Sequence, residues 1–236
     1  MPGVEAQVSV AKVAKYATSE SGDSLEMVER PGGGLSFVLA DGQRSGRPAK
    51  AIASVVTRKA IALLAEGVRD GAAARAASDY LFTYRAGQVL ATLNILSIDL
   101  VSRSLVITRN NPAPVLLIRR GALEAMAAPS EPVGCRRGIR PLITEVALEP
   151  GLGAVVFTDG LLHCGARTST PLDLAGRVRA WLHEGPIDPP RWAAALLQEA
   201  VALDEGRPAD DISVVVAGIL PRGDGDDRRL TVRMPL

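Results

Sequence analysis

The feature that most constrains the fold is a hydrophobic period that changes repeatedly along the chain. Alternating or short apolar runs predict strands at residues 7–17 and 35–40, and apolar positions at helical spacing predict helices at 52–64 and 72–84. Strands and then helices follow again before a last strand. These later segments are strands at 92–99, 104–108, 115–118, 142–148 and 154–158, helices at 172–183 and 191–203, and a strand at 212–217.

This grouping of elements predicts an α+β fold. Strands joined by short turns are antiparallel neighbours, whereas a parallel sheet needs a helical crossover between its strands. An apolar fraction of 47% in 236 residues is enough to bury a substantial core. We therefore expect a single domain over residues 1–220, with sheet packed on sheet and helices outside. Residues 221–236 are predicted to form a tail or an edge strand.

The charge distribution excludes two classes of partner. The formal net charge is +1, and the basic residues are scattered along the chain, so no basic patch indicates a nucleic acid or an anionic membrane as partner. No apolar run approaches the eighteen or so residues of a membrane span, and no basic segment followed by a hydrophobic one begins the chain. We expect a cytoplasmic protein.

Four aspartates are candidate functional residues because of their positions relative to the predicted strands. Three directly follow or precede a predicted apolar strand, and the fourth lies in a Ser-Gly-Asp-Ser segment: Asp41, Asp159, Asp210 and, last, Asp23. Taken singly, an aspartate before a glycine is more typical of a turn. Carboxylates gathered at one edge of a sheet would repel one another unless a cation neutralised them. Ligand sets made only of oxygen atoms favour Mg²⁺ or Mn²⁺, and two such ions can activate a water for phosphoryl hydrolysis.

Five segments, taken in chain order, resemble the successive motifs of the PPM (type 2C) protein serine/threonine phosphatases. They are Ser-Gly-Asp-Ser at 21–24, Ala-Asp-Gly-Gln-Arg-Ser-Gly at 40–46, the strand at 92–99, Phe-Thr-Asp-Gly-Leu at 157–161 and Asp-Asp-Ile-Ser-Val-Val at 210–215. The match covers about residues 7–220. The Asp-Gly-x-x-Ser-Gly form resembles the RsbX-type stressosome phosphatases more than the larger sporulation-type regulators.

The resemblance implies a PPM-type sandwich of two antiparallel sheets flanked by helices, with two Mn²⁺ or Mg²⁺ ions. It implies these protein ligands: Asp41 bridging both ions, the Gly42 carbonyl and Asp23 for one ion, and Asp159 and Asp210 for the other. Asp211 would act through hydrogen bonds beside the last ligand, with direct ligation as the alternative.

Two positions depart from the family pattern. Gln43 to Gly46 stand where many members have Gly-His, and His163 replaces the glutamate that commonly follows the later Thr-Asp-Gly motif. His163 is either a structural residue or a general acid, since its ordinary pKa lies near neutrality. Arg44 is either a solvated surface residue or a group that binds the substrate phosphate.

The resemblance implies an enzyme that removes phosphate from serine or threonine of a protein. By family likeness its substrate would be a phosphorylated STAS-domain protein of a stressosome. Two alternatives remain open. One is a phosphatase of an anti-anti-sigma factor, and the other is a catalytically silent binding module with the same fold.

Overall fold

The computed structural model describes residues 3–222 and 228–233. Within them the strands are β1 (Val4–Val13), β2 (Asp23–Glu29), β3 (Gly34–Gly42), β4 (Ala91–Asp99), β5 (Ser104–Asn110), β6 (Val115–Arg119), β7 (Ala122–Met126), β8 (Leu142–Ala147), β9 (Gly153–Phe157) and β10 (Ile212–Pro221). The helices are α1 (Gly46–Ala65), α2 (Asp70–Tyr84), α3 (Gly160–His163), α4 (Leu174–Glu184) and α5 (Pro189–Leu203).

The strands form two five-stranded sheets in which every neighbouring pair is antiparallel. The first sheet has the order β1-β10-β9-β6-β7, and the second has the order β2-β3-β4-β5-β8. The two sheets face each other across a shared apolar layer. Helices α1 and α2 cover the outside of the second sheet, and α4 and α5 cover the outside of the first. The predicted α+β sandwich is confirmed.

Strand periodicity explains why the central strands read as unbroken apolar runs. In β3, Phe37 and Leu39 face the layer between the sheets, whereas Val38 and Ala40 face the helices. Successive side chains of a strand point to opposite faces, and here both faces are buried, so no position needs to be polar. The apolar runs stop where the strands leave the two layers, and the aspartates stand at those points.

The structure corrects the N-terminal part of the predicted pattern. The first strand ends at Val13 and does not reach residue 17, and Asp23 begins a strand that the pattern did not predict. The turn at residues 31–34 therefore joins β2 to β3. Gly34 has a φ of 100°, and a Cβ there would lie 1.9 Å from the Ile98 carbonyl oxygen, so this turn requires glycine.

The C-terminal part of the chain also differs from the prediction. Strand β10 continues to Pro221, pairing along its length with β1, whereas the pattern predicted an end at residue 217. Residues 228–233 lie in neither helix nor strand. The rest of the predicted tail, residues 223–227 and 234–236, lies outside the described residues. None of the helices in the described part of the chain is long and apolar enough to cross a bilayer.

Candidate metal centre

The antiparallel pairings bring the aspartates to one end of the sandwich. Asp23 opens β2 and pairs in register with Asp41, which lies near the end of β3. Asp159 follows the end of β9 and Asp210 precedes β10. Between these two strands, the Thr158 amide donates a hydrogen bond to the Ser213 carbonyl oxygen at 3.0 Å. The acids therefore come from both sheets and meet at one end of the sandwich.

An open cleft of about 430 Å³ lies at this end of the molecule. Asp41, Asp159 and Asp210 line it, together with the backbone of Gly42. Its other lining residues include two cations, Lys15 and Arg44, with Gln43, Ser45, Leu90, Ala91, Thr92, Pro112 and Pro132. Three carboxylates and two cations thus face the same solvent-accessible space.

Asp23 lies outside the lining of the cleft and is completely buried. Its Oδ2 accepts hydrogen bonds from Ser213 Oγ at 2.6 Å and from Thr158 Oγ1 at 3.0 Å. Its Oδ1 is buried and has no hydrogen-bond partner. Burying a carboxylate oxygen without a hydrogen-bond partner costs free energy. The lone pairs of this atom are therefore available to coordinate a cation.

Three aspartates of the cluster, Asp23, Asp41 and Asp210, have raised pKa values. Burial, followed by the charges of Asp23, Asp159 and Asp210, raises the pKa of Asp41 to about 9. Burial raises the pKa of Asp23 to about 6, against the opposing hydrogen bond from Ser213. Burial also raises the pKa of Asp210. In the absence of a cation Asp41 therefore keeps its proton near neutral pH, because burial and the neighbouring carboxylates oppose its ionisation.

Glycines beside these aspartates let the backbone pack closely. A Cβ on Gly42 would lie 2.0 Å from the Ala49 carbonyl oxygen of α1. On Gly160 it would lie 2.1 Å from the Asp211 carbonyl oxygen. Both contacts are impossible for any other residue without moving the backbone. The Asp-Gly pairs thus hold Asp41 against α1 and Asp159 against the start of β10.

Asp211 acts on the backbone of the segment between β1 and β2. Its Oδ1 accepts a hydrogen bond from the Lys15 amide and its Oδ2 accepts one from the Gly22 amide, both at 2.9 Å. Asp211 is 3% exposed and does not line the cleft. Through these bonds it fixes the two ends of the connection that carries Lys15 to the cleft and Asp23 into β2.

The two remaining predicted residues, His163 and Arg44, differ in their relation to the cleft. His163 ends α3 with its side chain 64% exposed, and its Nδ1 lies 3.9 Å from Asp159 Oδ2, beyond hydrogen-bond distance. It is absent from the residues that line the cleft. Arg44 does line the cleft, on a backbone with a φ of 82°. That left-handed conformation is uncommon for arginine, and it turns the chain from β3 toward α1.

Sequence reasoning missed four polar residues that surround Asp23. Thr158 and Ser213 supply its hydroxyl donors, and Lys12 and Lys50 both donate to its carbonyl oxygen, at 2.6 and 2.7 Å. The one available signal was the interruption of apolar strands by Thr158 and Ser213, because a polar residue in a buried strand needs a partner. Nothing in the sequence connects Lys12 and Lys50 to residue 23 before the fold is known.

The donor set fits a hard divalent cation. Asp41, Asp159, Asp210 and the free Oδ1 of Asp23 are all oxygen ligands, the type that Mg²⁺ and Mn²⁺ prefer. In residues 3–222 and 228–233, however, no three His, Cys, Asp or Glu side chains stand close enough to enclose an ion as they are. The chemistry of these oxygen ligands nevertheless fits such an ion, and Asp23, Asp41, Asp159 and Asp210 are its candidate ligands.

The comparisons with known proteins agree with this geometry. The model of the Stage II sporulation protein E (SpoIIE) family matches residues 31–220. No curated protein matches the chain. The PP2C phosphatase domain with a regulatory-domain fragment of SpoIIE from Bacillus subtilis is similar with a TM-score of 0.79 at 20% identity, and the match covers 94% of this chain. The chain spans 65% of the length of that protein.

Two other solved structures were crystallised with metal ions. The catalytic domain of the serine/threonine phosphatase PstP, in complex with two manganese ions, has a TM-score of 0.68 at 18% identity, covering 92% of this chain and 100% of that one. RsbX in complex with magnesium has a TM-score of 0.67 at 17% identity, covering 93% and 100%. These similarities confirm the PP2C fold. They do not separate an RsbX-type from a SpoIIE-type subgroup.

Proposed function

We propose that this chain, which belongs to the SpoIIE family, is a metal-dependent protein serine/threonine phosphatase that acts through Mn²⁺ or Mg²⁺. The observation that carries the proposal is the convergence of carboxylates from both sheets on one open cleft, with Lys15 and Arg44 beside them. Carboxylates provide sites for metal ions, and nearby cations provide contacts for a phosphoryl group. Such a cleft suits a phosphorylated side chain on the surface of another protein.

Each carboxylate has a distinct part in this proposal. Asp41, Asp159, Asp210, Asp23 Oδ1 and the Gly42 carbonyl would hold the ions. When bound, such ions supply an activated water and stabilise charge on the phosphoryl oxygens. Asp23 Oδ2 stays with Thr158 and Ser213 and orients Oδ1. Asp211 would keep its hydrogen bonds from the Lys15 and Gly22 amides and act through them.

Lys15 and Arg44 would bind the substrate phosphate from the two sides of the cleft. The Asp211 hydrogen bond to the Lys15 amide fixes the backbone from which that side chain extends. Arg44 extends from the turn between β3 and α1. A guanidinium can donate two parallel hydrogen bonds to a phosphate, whereas an ammonium acts as a point charge. The pair would hold the phosphoryl group over Asp41.

For the physiological substrate we propose a phosphorylated STAS-domain protein of a stressosome, with the chain as an RsbX-type member of its family. Similarity to RsbX supports this choice. So does similarity to the RsbU and RsbW domains of Rv1364c from Mycobacterium tuberculosis, at a TM-score of 0.70 and 19% identity. A phosphoserine STAS protein should lose its phosphate at least about tenfold faster than a phosphopeptide of the same local sequence, if the folded partner is recognised.

Hydrolysis of an aryl phosphate tests the chemistry without requiring the partner. The purified protein should turn over with Mn²⁺ and lose activity with excess chelator. Asp159→Asn should abolish turnover, whereas Glu66→Gln, the same chemical change at an exposed position that ends α1, should retain it. Turnover that persists in chelator, or that Asp159→Asn leaves intact, would refute the metal-dependent mechanism. A wild-type protein with bound Mn²⁺ but no turnover on any phosphorylated substrate would favour the binding-module alternative.

A further inference from the structure

Lysine is rare in this chain, and its positions are not random. Lysine and arginine together number 27, yet lysine occurs only at positions 12, 15, 50 and 59. Lys15 lines the cleft, and Lys12 and Lys50 contact Asp23. Lys59 lies elsewhere, over the ring of Tyr80 on the outer helices. Three of the four lysines thus lie at the acid cluster of a protein that otherwise uses arginine.

Lys12 and Lys50 approach Asp23 from opposite sides of the second sheet's edge. Lys12 belongs to β1 of the first sheet and Lys50 to α1 outside the second. Their Nζ atoms donate to the same carbonyl oxygen, at 2.6 and 2.7 Å. Two ammonium groups at one acceptor repel each other, so the arrangement needs negative charge nearby. Burial and then the charge of Lys50 lower the pKa of Lys12, and the carboxylates of Asp23 and Asp211 oppose that shift by attracting the ammonium.

Lysine suits this position better than arginine does. An ammonium is a compact charge on a slim stem, and two of them can share one carbonyl. A guanidinium presents five N–H donors in a fixed plane, and most of these would lack acceptors here. The use of lysine at these two places, in an arginine-rich chain, is consistent with a requirement for concentrated charge in a small space.

We infer that Lys12 and Lys50 are positioning residues that act as resident counter-cations of the acid cluster. They hold the Asp23 end of β2 in place when no metal ion is bound, and they weaken the binding of divalent ions because they already neutralise part of the negative charge. The inference rests on the metal site of the proposed function. It adds that metal affinity in this protein is limited by its own lysines.

The inference predicts effects of opposite sign in two measurements. Removing an ammonium group should destabilise the metal-free protein, because the carboxylates lose a compensating charge and the Asp23 carbonyl loses a donor. The same change should strengthen Mn²⁺ binding, because the ion meets less positive charge. A residue with a merely structural role would lower both stability and metal affinity when it is removed.

The test uses the full chain with Lys50→Met, Lys12→Met and the double variant. In excess chelator each single variant should unfold about 5 °C below wild type. In calorimetric titration with Mn²⁺ it should bind about tenfold more tightly. Lys59→Met is the matched control on the same helix as Lys50, and it should change neither value. Lys50→Gln keeps a donor but removes the charge, and it should show the gain in affinity.

Weaker Mn²⁺ binding together with lower stability in the single variants would overturn the inference, as would no change in either measurement. If the double variant is recovered only in the presence of Mn²⁺, that supports the inference, and the single variants decide if it is not recovered at all. Neither readout requires a phosphorylated substrate. Wild type that binds no Mn²⁺ would refute the proposed function, whereas normal Mn²⁺ binding with the structural pattern of effects would refute only the counter-cation role.

Discussion

The two sheets contribute their carboxylates to the site in different ways. In the second sheet, Asp23 and Asp41 face each other within the β2–β3 ladder, so their backbones are fixed by strand pairing. In the first sheet, Asp159 and Asp210 lie just beyond β9 and β10, and the Asp159 side chain is 40% exposed. In the ladder half, burial and then the neighbouring carboxylates raise the pKa of Asp41 to about 9. The loop half is more solvated.

The ladder half of the site is therefore rigid, whereas the loop half can adjust. The ladder half cannot relieve repulsion by moving its backbone, because that would break strand hydrogen bonds. The loop half can reorient its side chains toward water. We therefore expect the side chains of Asp159 and Asp210, rather than the Asp23–Asp41 ladder, to adjust when a metal ion binds. The following predictions test this asymmetry.

The largest effect should distinguish Asp41 from Asp159. Asp41→Asn and Asp159→Asn should each lower aryl phosphate hydrolysis by about a thousandfold or more, because each removes a metal ligand. In chelator, however, Asp41→Asn should raise the unfolding temperature by about 3 °C, since the amide removes the cost of keeping a buried carboxyl protonated well above its ordinary pKa. Asp159→Asn should change it by less than about 1 °C. Equal shifts in unfolding temperature for the two variants, measured by differential scanning calorimetry, would contradict the proposed difference between the two halves of the site.

Gly42→Ala should break the packing of the ladder half. A Cβ there would lie 2.0 Å from the Ala49 carbonyl oxygen, so β3 and α1 must separate, at a cost of about 3 kcal/mol in the free energy of unfolding. Gly185→Ala is the control, because nothing lies within 4 Å of its Cβ and its φ of 170° is extended. Denaturant unfolding should show a loss only for Gly42→Ala, and a normal Gly42→Ala protein would contradict the observed contact.

The pH dependence of the metal-free protein should have a definite sign. The pKa values of Asp41 and Asp23 in the folded protein, about 9 and about 6, lie above their ordinary value of 3.8. Between pH of about 4 and about 9, the folded state therefore binds more protons than the unfolded state. The free energy of unfolding consequently falls as the pH rises through this range. Thermal unfolding in chelator should show this decline, and Asp41→Asn should flatten it above pH 6. A stability that rises across this range would contradict the assignment.

The smallest effect is expected at His163, on the loop half. Its side chain is exposed and lies outside the cleft lining, so His163→Gln should lower kcat on an aryl phosphate by less than about threefold. Loss of a true general acid would cost a hundredfold or more. A pH profile of kcat should keep its shape in the variant. A large loss with a changed acid limb would assign His163 the catalytic role.

Much of the fold could be predicted from the sequence because its central strands are buried on both faces. The long apolar runs that became β3, β4, β9 and β10 required little interpretation. Strand β2 was missed because Asp23 to Glu29 mixes charged and apolar residues and begins in a segment typical of turns. Strand β7 was missed because Ala122, Leu123, Glu124 and Met126 are residues that favour helices. Both lie at sheet edges, where burial constrains composition least.

The site was predictable only where a local signal existed. An aspartate next to an apolar strand is visible in the sequence, and Asp41, Asp159 and Asp210 do lie together around one cleft. The contacts of Asp23 join residues up to 190 positions apart in the chain, and only the sheet topology shows which strands meet. Lys12 and Lys50 are ordinary residues in the sequence, and their role depends on β1 and α1 reaching the same carbonyl oxygen.

The pairing of β1 with β10 determines how this protein could be joined to others. Val4 pairs with Pro221 at one end of the ladder, and Val13 pairs with Ile212 at the end next to the acids. Ten residues of strand separate these ends by about 30 Å. A reporter or a binding module fused before Val4 or after Pro221 would therefore leave the molecule from the same point, far from the cleft. Fusions at either position should leave access of a bulky phosphoprotein unobstructed.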